Sequence, residues 1–61
     1  MSLKELRIDR GVSQRYVSEK IGMTQQQYSK LEQGKSGIEA KKAKELANVL
    51  EVKLEKLIEN L

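Results

Sequence analysis

The 61 residues of the chain suffice for one domain with one modest core, which we expect to span residues 1–61. The absence of cysteine and histidine excludes disulfides, zinc–thiolate sites and catalysis by either side chain, and the absence of phenylalanine and tryptophan requires a mainly aliphatic core. The net charge of +3 falls within residues 1–35, whereas residues 36–61 are balanced, and this modest basic bias is compatible with a polyanionic partner.

Three short amphipathic helices are predicted in the first half of the chain, each preceded by a serine or threonine cap and ended by a glycine. Their expected ranges are residues 3–10, 14–21 and 25–33, and the glycines that end them are Gly11, Gly22 and Gly34. Ser2 with Glu5, and Thr24 with Gln27, have the spacing of capping boxes. Two short helices joined by a tight turn with a glycine form a helix-turn-helix, which we predict for helices 2 and 3.

The remainder of the chain, from about residue 38, is helical in character, and its pattern permits one helix or two. Ser36 and Glu39 have the spacing of a capping box at its start. One interpretation is a single long helix paired as a coiled coil, because six residues follow a heptad repeat: Ala43, Ala47, Leu50, Leu54, Leu57 and Leu61. The other is two helices separated near residues 51–53. We favour two helices, because the alanines suit close helix packing better than a coiled-coil seam.

The apolar periodicity also defines a core and, in helix 3, an exposed polar face. The predicted core residues are Leu3, Leu6, Val12, Val17, Ile21, Tyr28, Leu31, Ile38, Leu46, Ala47, Leu50, Val52 and Leu57. Because Tyr28 and Leu31 face inward from helix 3, its outward face carries Gln25, Gln26, Ser29, Lys30 and Gln33. A small core gives no reason for the three consecutive glutamines in this segment.

The segment SQRYVSEKIGMTQQQYSKLEQGK resembles the helix-turn-helix of the lambdoid phage repressors and Cro proteins, also called the XRE family. The likeness covers nearly the whole chain, including LKELR before the first glycine and LANVLEV near the end. It implies an all-α fold, a compact five-helix lambda-repressor-like bundle with the helix-turn-helix in helices 2 and 3. It also implies a cytoplasmic protein of bacterial or phage origin that associates with the nucleoid when it binds DNA.

Three positions depart from the pattern of the family. Ser18 stands where alanine is usual, and its hydroxyl is expected to bond back to the carbonyl of Gln14. Ile38 stands where proline is frequent, so that nothing locks the loop before helix 4. Glu51 stands where glycine is frequent, which leaves open whether helices 4 and 5 separate at that position.

The resemblance implies that the outward face of helix 3 enters the major groove of DNA. Contacts to bases are expected from Gln25, Gln26, Ser29 and Lys30. A glutamine amide offers a donor and an acceptor together, which matches N6 and N7 of adenine. Contacts to phosphates are expected from Gln14, Arg15, Thr24, Gln27, Gln33 and Lys35. The alternative interpretation is an ordinary solvated face, in which Gln27 only helps to start the helix.

Two further sets of residues are assigned structural roles. The resemblance implies a partly buried ion pair between Arg7 of helix 1 and Glu32 of helix 3, which would orient the recognition helix. Leu57, Ile58 and Leu61 are predicted to form a dimer interface, because so small a domain cannot bury every apolar residue of its last helix. The alternative is a frayed tail with stray apolar residues.

These features predict a sequence-specific regulator of transcription, with repression as the expected effect. It would bind double-stranded DNA as a homodimer, on a two-fold operator whose half-sites lie about 34 Å apart. The alternative is a protein-interaction module of the same fold. We predict no enzyme, cofactor, metal or small-molecule ligand. A membrane-bound peptide is disfavoured because the charges of the C-terminal part cancel and aromatic anchors are missing there.

Overall fold

Five α-helices make up the chain, described here for residues 2–61 by a computed structural model. The helices are α1 (Leu3–Arg10), α2 (Gln14–Lys20), α3 (Gln25–Glu32), α4 (Ala40–Leu50) and α5 (Leu54–Glu59). Residues 2–61 contain no β-strand, so the predicted all-α, five-helix fold is confirmed. Helix α2 packs against α3 to form the helix-turn-helix, and α4 packs against α1, α2 and α5.

Side-chain caps start the first three helices at the predicted positions. The hydroxyl of Ser2 accepts the N–H of Glu5 at 3.2 Å, and the Glu5 carboxylate accepts the N–H of Ser2 at 3.1 Å. Thr24 and Gln27 form the same reciprocal pair, at 3.1 Å in both directions. The hydroxyl of Ser13 caps α2 without a reciprocal side-chain bond. Both predicted capping boxes at these helices are confirmed, and they determine where α1 and α3 begin.

The capping box predicted for Ser36 and Glu39 was wrong. Helix α4 begins at Ala40, and its N-cap is Glu39, which has an extended backbone. Within residues 2–61, no side chain makes a hydrogen bond that caps the start of this helix. The start is delayed because Gly37 disfavours helix and because Ile38 first has to pack against the core. Loop residues therefore extend three positions further than the pattern indicated.

The core lies at the centre of the bundle and receives side chains from every helix. Its fully buried members include Val17 of α2, Tyr28 of α3, Leu46 of α4 and Leu57 of α5. Most of the predicted core is confirmed, but three of its members are only partly buried at the margin: Val12, Ile38 and Val52. Among the described residues, one buried apolar residue was missing from the prediction, Ala43, whose small side chain suits close packing of α4.

Ser18 is buried at the alanine-like position of α2, with 2% of its surface exposed. Its hydroxyl donates to the carbonyl of Arg15 at 3.0 Å. The prediction of a bond to the carbonyl of Gln14 was therefore wrong by one residue. A serine hydroxyl in a helix can reach the carbonyl three or four residues before it. Here the carbonyl three residues earlier, that of Arg15, satisfies this buried donor.

Helices α4 and α5 are separated at Glu51, so the interpretation with two helices is confirmed. Glu51 has φ of 57°, a left-handed conformation that glycine usually provides. The N–H of Glu51 donates to the carbonyl of Asn48, and that of Val52 to the carbonyl of Ala47. These bonds are those of a Schellman-type helix end, which turns the chain so that α5 packs back on the core.

Candidate nucleic-acid interface

Helix α3 presents a polar face to solvent, as its periodicity predicted. Gln25, Gln26, Lys30 and Gln33 are exposed, and Ser29 is half-buried beside them. The opposite face is fixed, because Tyr28 and Leu31 are buried in the core. Side chains on the outer face are therefore held at set positions along a rigid helix.

The three glutamines differ in what they do within the chain. Gln27 is the third residue of α3, and its side-chain oxygen is occupied by the N–H of Thr24. The hydroxyl of Thr24 is likewise occupied by the N–H of Gln27. Local structure thus accounts for Gln27 and Thr24, which can contact phosphate only with their remaining atoms. Gln25 and Gln26 are exposed and have no part in the cap.

A shallow depression on the outer face is lined by five polar residues. They are Gln26, Ser29, Lys30, Gln33 and Lys35. Three of them lie on α3, Gln33 is its C-cap, and Lys35 follows directly in the loop after Gly34. Within the depression, the side-chain amide of Gln33 donates to the hydroxyl of Ser29 at 3.3 Å. The depression thus brings together three of the predicted base-contacting residues with Gln33 and Lys35, whereas Gln25 does not line it and Gln27 lines a separate depression beside Gly22 and Lys42.

Arg15 and Gln14 start α2 beside this surface, but their surroundings differ. Arg15 is exposed and pairs with Glu19 across one helical turn, with Nε and Oε1 separated by 3.2 Å. Both side chains are well solvated, so this pair holds Arg15 only weakly. Gln14 is half-buried, and its amide nitrogen donates to Oε1 of Glu32 at 2.9 Å. The contact between Gln14 and Glu32 was not predicted from the sequence.

The predicted ion pair between Arg7 and Glu32 is confirmed. Nε of Arg7 lies 2.6 Å from Oε2 of Glu32, and Nη2 lies 3.4 Å from Oε1. The two side chains are only 12% and 4% exposed. Nη1 of Arg7 also donates to the carbonyl of Val12 at 2.9 Å. One guanidinium therefore joins α1, the loop before α2 and the C-terminal end of α3.

The protonation states of this cluster follow from its contacts. Burial on its own would raise the pKa of Glu32, but hydrogen bonds from Arg7 and Gln14 outweigh it, and the pKa is lowered from its ordinary value. The hydrogen bond to Glu32 likewise raises the pKa of Arg7. Both groups are consequently charged at neutral pH. Burial raises the pKa of Tyr28, so that its hydroxyl stays neutral.

The hydroxyl of Tyr28 is a polar atom within the core. It is buried and has no hydrogen-bond partner within residues 2–61. The ring fills the core between α3 and its neighbours, and Tyr28 is 0% exposed. The predicted burial of Tyr28 is confirmed, but periodicity gave no indication of where its hydroxyl would lie.

Lys42 holds the turn of the helix-turn-helix and was also missed. Its ammonium group donates to the carbonyl of Ile21 at 2.6 Å, at the end of α2. It also lies 3.0 Å from where a side chain on Gly22 would begin. Gly22 has a positive φ of 70°, so both conformation and space favour glycine in this turn. The available signal was spacing: Lys42 lies one turn before Leu46, on the inner face of α4.

The burial of the apolar residues of α5 corrects one predicted role. Leu57 is fully buried in the core and offers no surface to a second chain, so its assignment to a dimer interface was wrong. Ile58 and Leu61 are 56% and 49% exposed and keep that assignment as a prediction. The prediction was wrong because α5 has only six residues and follows a tight bend. Fewer of its apolar side chains are therefore exposed than the pattern suggested.

Residues 2–61 hold no group of acidic side chains placed to bind a metal ion. None of their helices has the length and apolarity needed to cross a membrane.

A capped helix that presents a polar face, beyond a glycine turn and a supporting helix, defines the helix-turn-helix class of DNA-binding domains. Residues 3–57 match the family model described as helix-turn-helix. The chain belongs to the Cro/C1-type helix-turn-helix family, the XRE family, and is a DNA-binding regulator. No curated protein and no solved structure gives a significant match to it.

Proposed function

We propose that this regulator is a sequence-specific repressor that binds a two-fold DNA operator as a homodimer in the cytoplasm. The observation that carries the proposal is the exposed face of α3, where Gln25 and Gln26 project from a helix whose other side is locked in the core. Helices of this kind place their first residues against base edges in the major groove. Repression requires no more than occupancy of the operator, so DNA binding suffices for it.

Base contacts are proposed for the first two glutamines, with Ser29 and Lys30 one turn further along α3. The free amides of Gln25 and Gln26 match the donor and acceptor of adenine. Phosphate contacts are proposed for the residues at the rim: Gln14, Arg15, Thr24, Gln27, Gln33 and Lys35. The basic excess of residues 1–35 supports this surface, because phosphate neutralisation supplies most of the sequence-independent affinity.

The first experiment is selection of bound sites from a random DNA pool, followed by titration at several salt concentrations. The logarithm of the association constant should fall with that of salt, by about 0.9 for each phosphate neutralised. A protein-interaction module of the same fold would show no such DNA affinity. That result would refute the proposed function.

Gln26→Ala should weaken binding to the selected site by roughly 5- to 150-fold, because a good bidentate base contact contributes about 1–3 kcal/mol. Binding to unrelated duplex should barely change, since Gln26 takes no part in the fold. The matched control is Gln27→Ala, which removes an adjacent glutamine of the capping box and should affect both duplexes alike. Equal losses for Gln26→Ala on both duplexes would show that this residue does not contact a base.

The proposed dimer interface consists of Ile58 and Leu61 at the end of α5. The longest dimension of the domain is 23 Å, so one copy cannot span half-sites that are about 34 Å apart. Two exposed apolar side chains close in the sequence provide a surface for a second copy.

The variant Ile58→Glu/Leu61→Glu should be monomeric by sedimentation and should lose cooperative binding to paired half-sites. Its fold should be intact, because both side chains are exposed in the monomer. Binding to a single half-site should stay near that of the wild type. An unchanged sedimentation coefficient would place the dimer contact elsewhere.

A further inference from the structure

Gln14 and Glu32 meet where the start of α2 approaches the end of α3. Gln14 is the first residue of α2, Glu32 is the last residue of α3, and the amide nitrogen lies 2.9 Å from Oε1 of the carboxylate. The carboxylate is almost wholly removed from solvent, with a side-chain exposure of 4%. A supporting group in the interior thus contacts a residue that is itself proposed to contact DNA.

The chemistry of the pair determines how the amide is oriented. An ionised carboxylate has no proton to donate, so Gln14 has to present its NH₂ group to Glu32. Arg7 binds the same carboxylate and holds it in place. One N–H of Gln14 is then bonded inward, and its second N–H and its oxygen remain for an outside partner. A freely rotating glutamine would have to lose this freedom on binding DNA.

We propose that Glu32 is a positioning residue for the DNA backbone, which holds the Gln14 amide so that its second N–H can bond a phosphate oxygen. The same carboxylate anchors the end of α3. One group therefore positions the DNA-backbone contact and the recognition helix relative to each other. This inference rests on the proposed DNA-binding function.

The first test uses nitrogen-15-labelled protein without DNA. The groups that face Glu32 are Arg7 from α1, Gln14 from α2 and Tyr28 within α3. The side-chain amide signals of Gln14 should shift as Glu32 is protonated, with a midpoint below the ordinary carboxyl value and with backbone signals still those of the folded domain. Amide signals of Gln14 that do not respond to this titration would overturn the proposal.

The second test is a double-mutant cycle on duplex DNA with Gln14→Ala, Glu32→Gln and both together. Each single variant should weaken binding about fivefold, the size of one lost hydrogen bond, and the double variant should bind no worse than either. Arg7→Lys is the control, because it disturbs the ion pair but leaves Gln14 its carboxylate. Losses that multiply would show that Glu32 acts on the fold alone.

The two tests separate this inference from the proposed function. A wild-type protein with no salt-dependent affinity for DNA refutes the proposed function. A wild-type protein that binds DNA, combined with multiplying losses in the cycle, refutes only the positioning role. If Glu32→Gln does not fold, the titration of the wild-type Gln14 amide still decides whether Glu32 holds it.

Discussion

Arg7→Met should lower the free energy of unfolding by about 3–5 kcal/mol, because it leaves the buried carboxylate of Glu32 without its cation. A single core in a chain of fewer than about 70–80 residues rarely supplies more than about 3–5 kcal/mol, so much of the variant should be unfolded at neutral pH. Urea unfolding followed by circular dichroism would measure the loss. A variant as stable as the wild type would contradict the importance of the pair.

The same substitution should reverse the pH dependence that Glu32 contributes. In the wild type the lowered pKa of Glu32 provides stability above the ordinary value of 4.5, and this stability is lost as the pH falls through the lowered pKa. Without Arg7, burial dominates and raises the pKa. The variant should then gain stability as the pH falls and lose it as the pH rises through that raised pKa.

The matched control for this experiment is Arg7→Met/Glu32→Leu, which removes both charges. Replacing a whole buried ion pair by apolar residues often preserves stability, whereas breaking it does not. The double variant should therefore recover much of the loss and should show neither pH dependence. A double variant no more stable than Arg7→Met would attribute the loss to packing of the arginine stem.

Leu57→Ala should destabilise the domain by about 2–5 kcal/mol, because it leaves a cavity where a fully buried side chain docks α5 on the core. Ile58→Ala is the adjacent control, at a residue that is 56% exposed, and should change stability by at most about 0.5 kcal/mol in the monomer. Thermal and urea unfolding at low protein concentration would compare them. Equal effects would mean that α5 is not docked through Leu57.

Local chemistry explains which parts of the fold the sequence predicted well. The serine and threonine caps are recognised within a few residues, so the starts of α1, α2 and α3 and the end of α1 were confirmed, whereas α2 and α3 each end one residue earlier than predicted. The break at Glu51 was predicted from alanine packing and from the family resemblance. The start of α4 was misplaced because Ser36 and Glu39 have a suitable spacing but Ile38 has to reach the core first.

The part of the candidate site that was predicted also depends on local sequence pattern. Helical periodicity is sufficient to place Gln25, Gln26 and Lys30 on the outer face of α3. The contacts of Gln14 with Glu32 and of Lys42 with Ile21 join residues that are 18 and 21 positions apart. Such contacts depend on how the helices pack, which no local pattern specifies. The roles of the outer residues in DNA contact stay predictions.

The bend at Glu51 determines where the residues of the proposed dimer interface lie on the folded domain. A left-handed conformation costs a residue with a side chain roughly 1–2 kcal/mol, and docking of Leu57 in the core compensates for it. A single continuous helix, the other arrangement that the local pattern permits, would place Ile58 and Leu61 elsewhere. Only the native domain thus displays the surface proposed for pairing, and the proposed dimer predicts that resistance to denaturation increases with protein concentration.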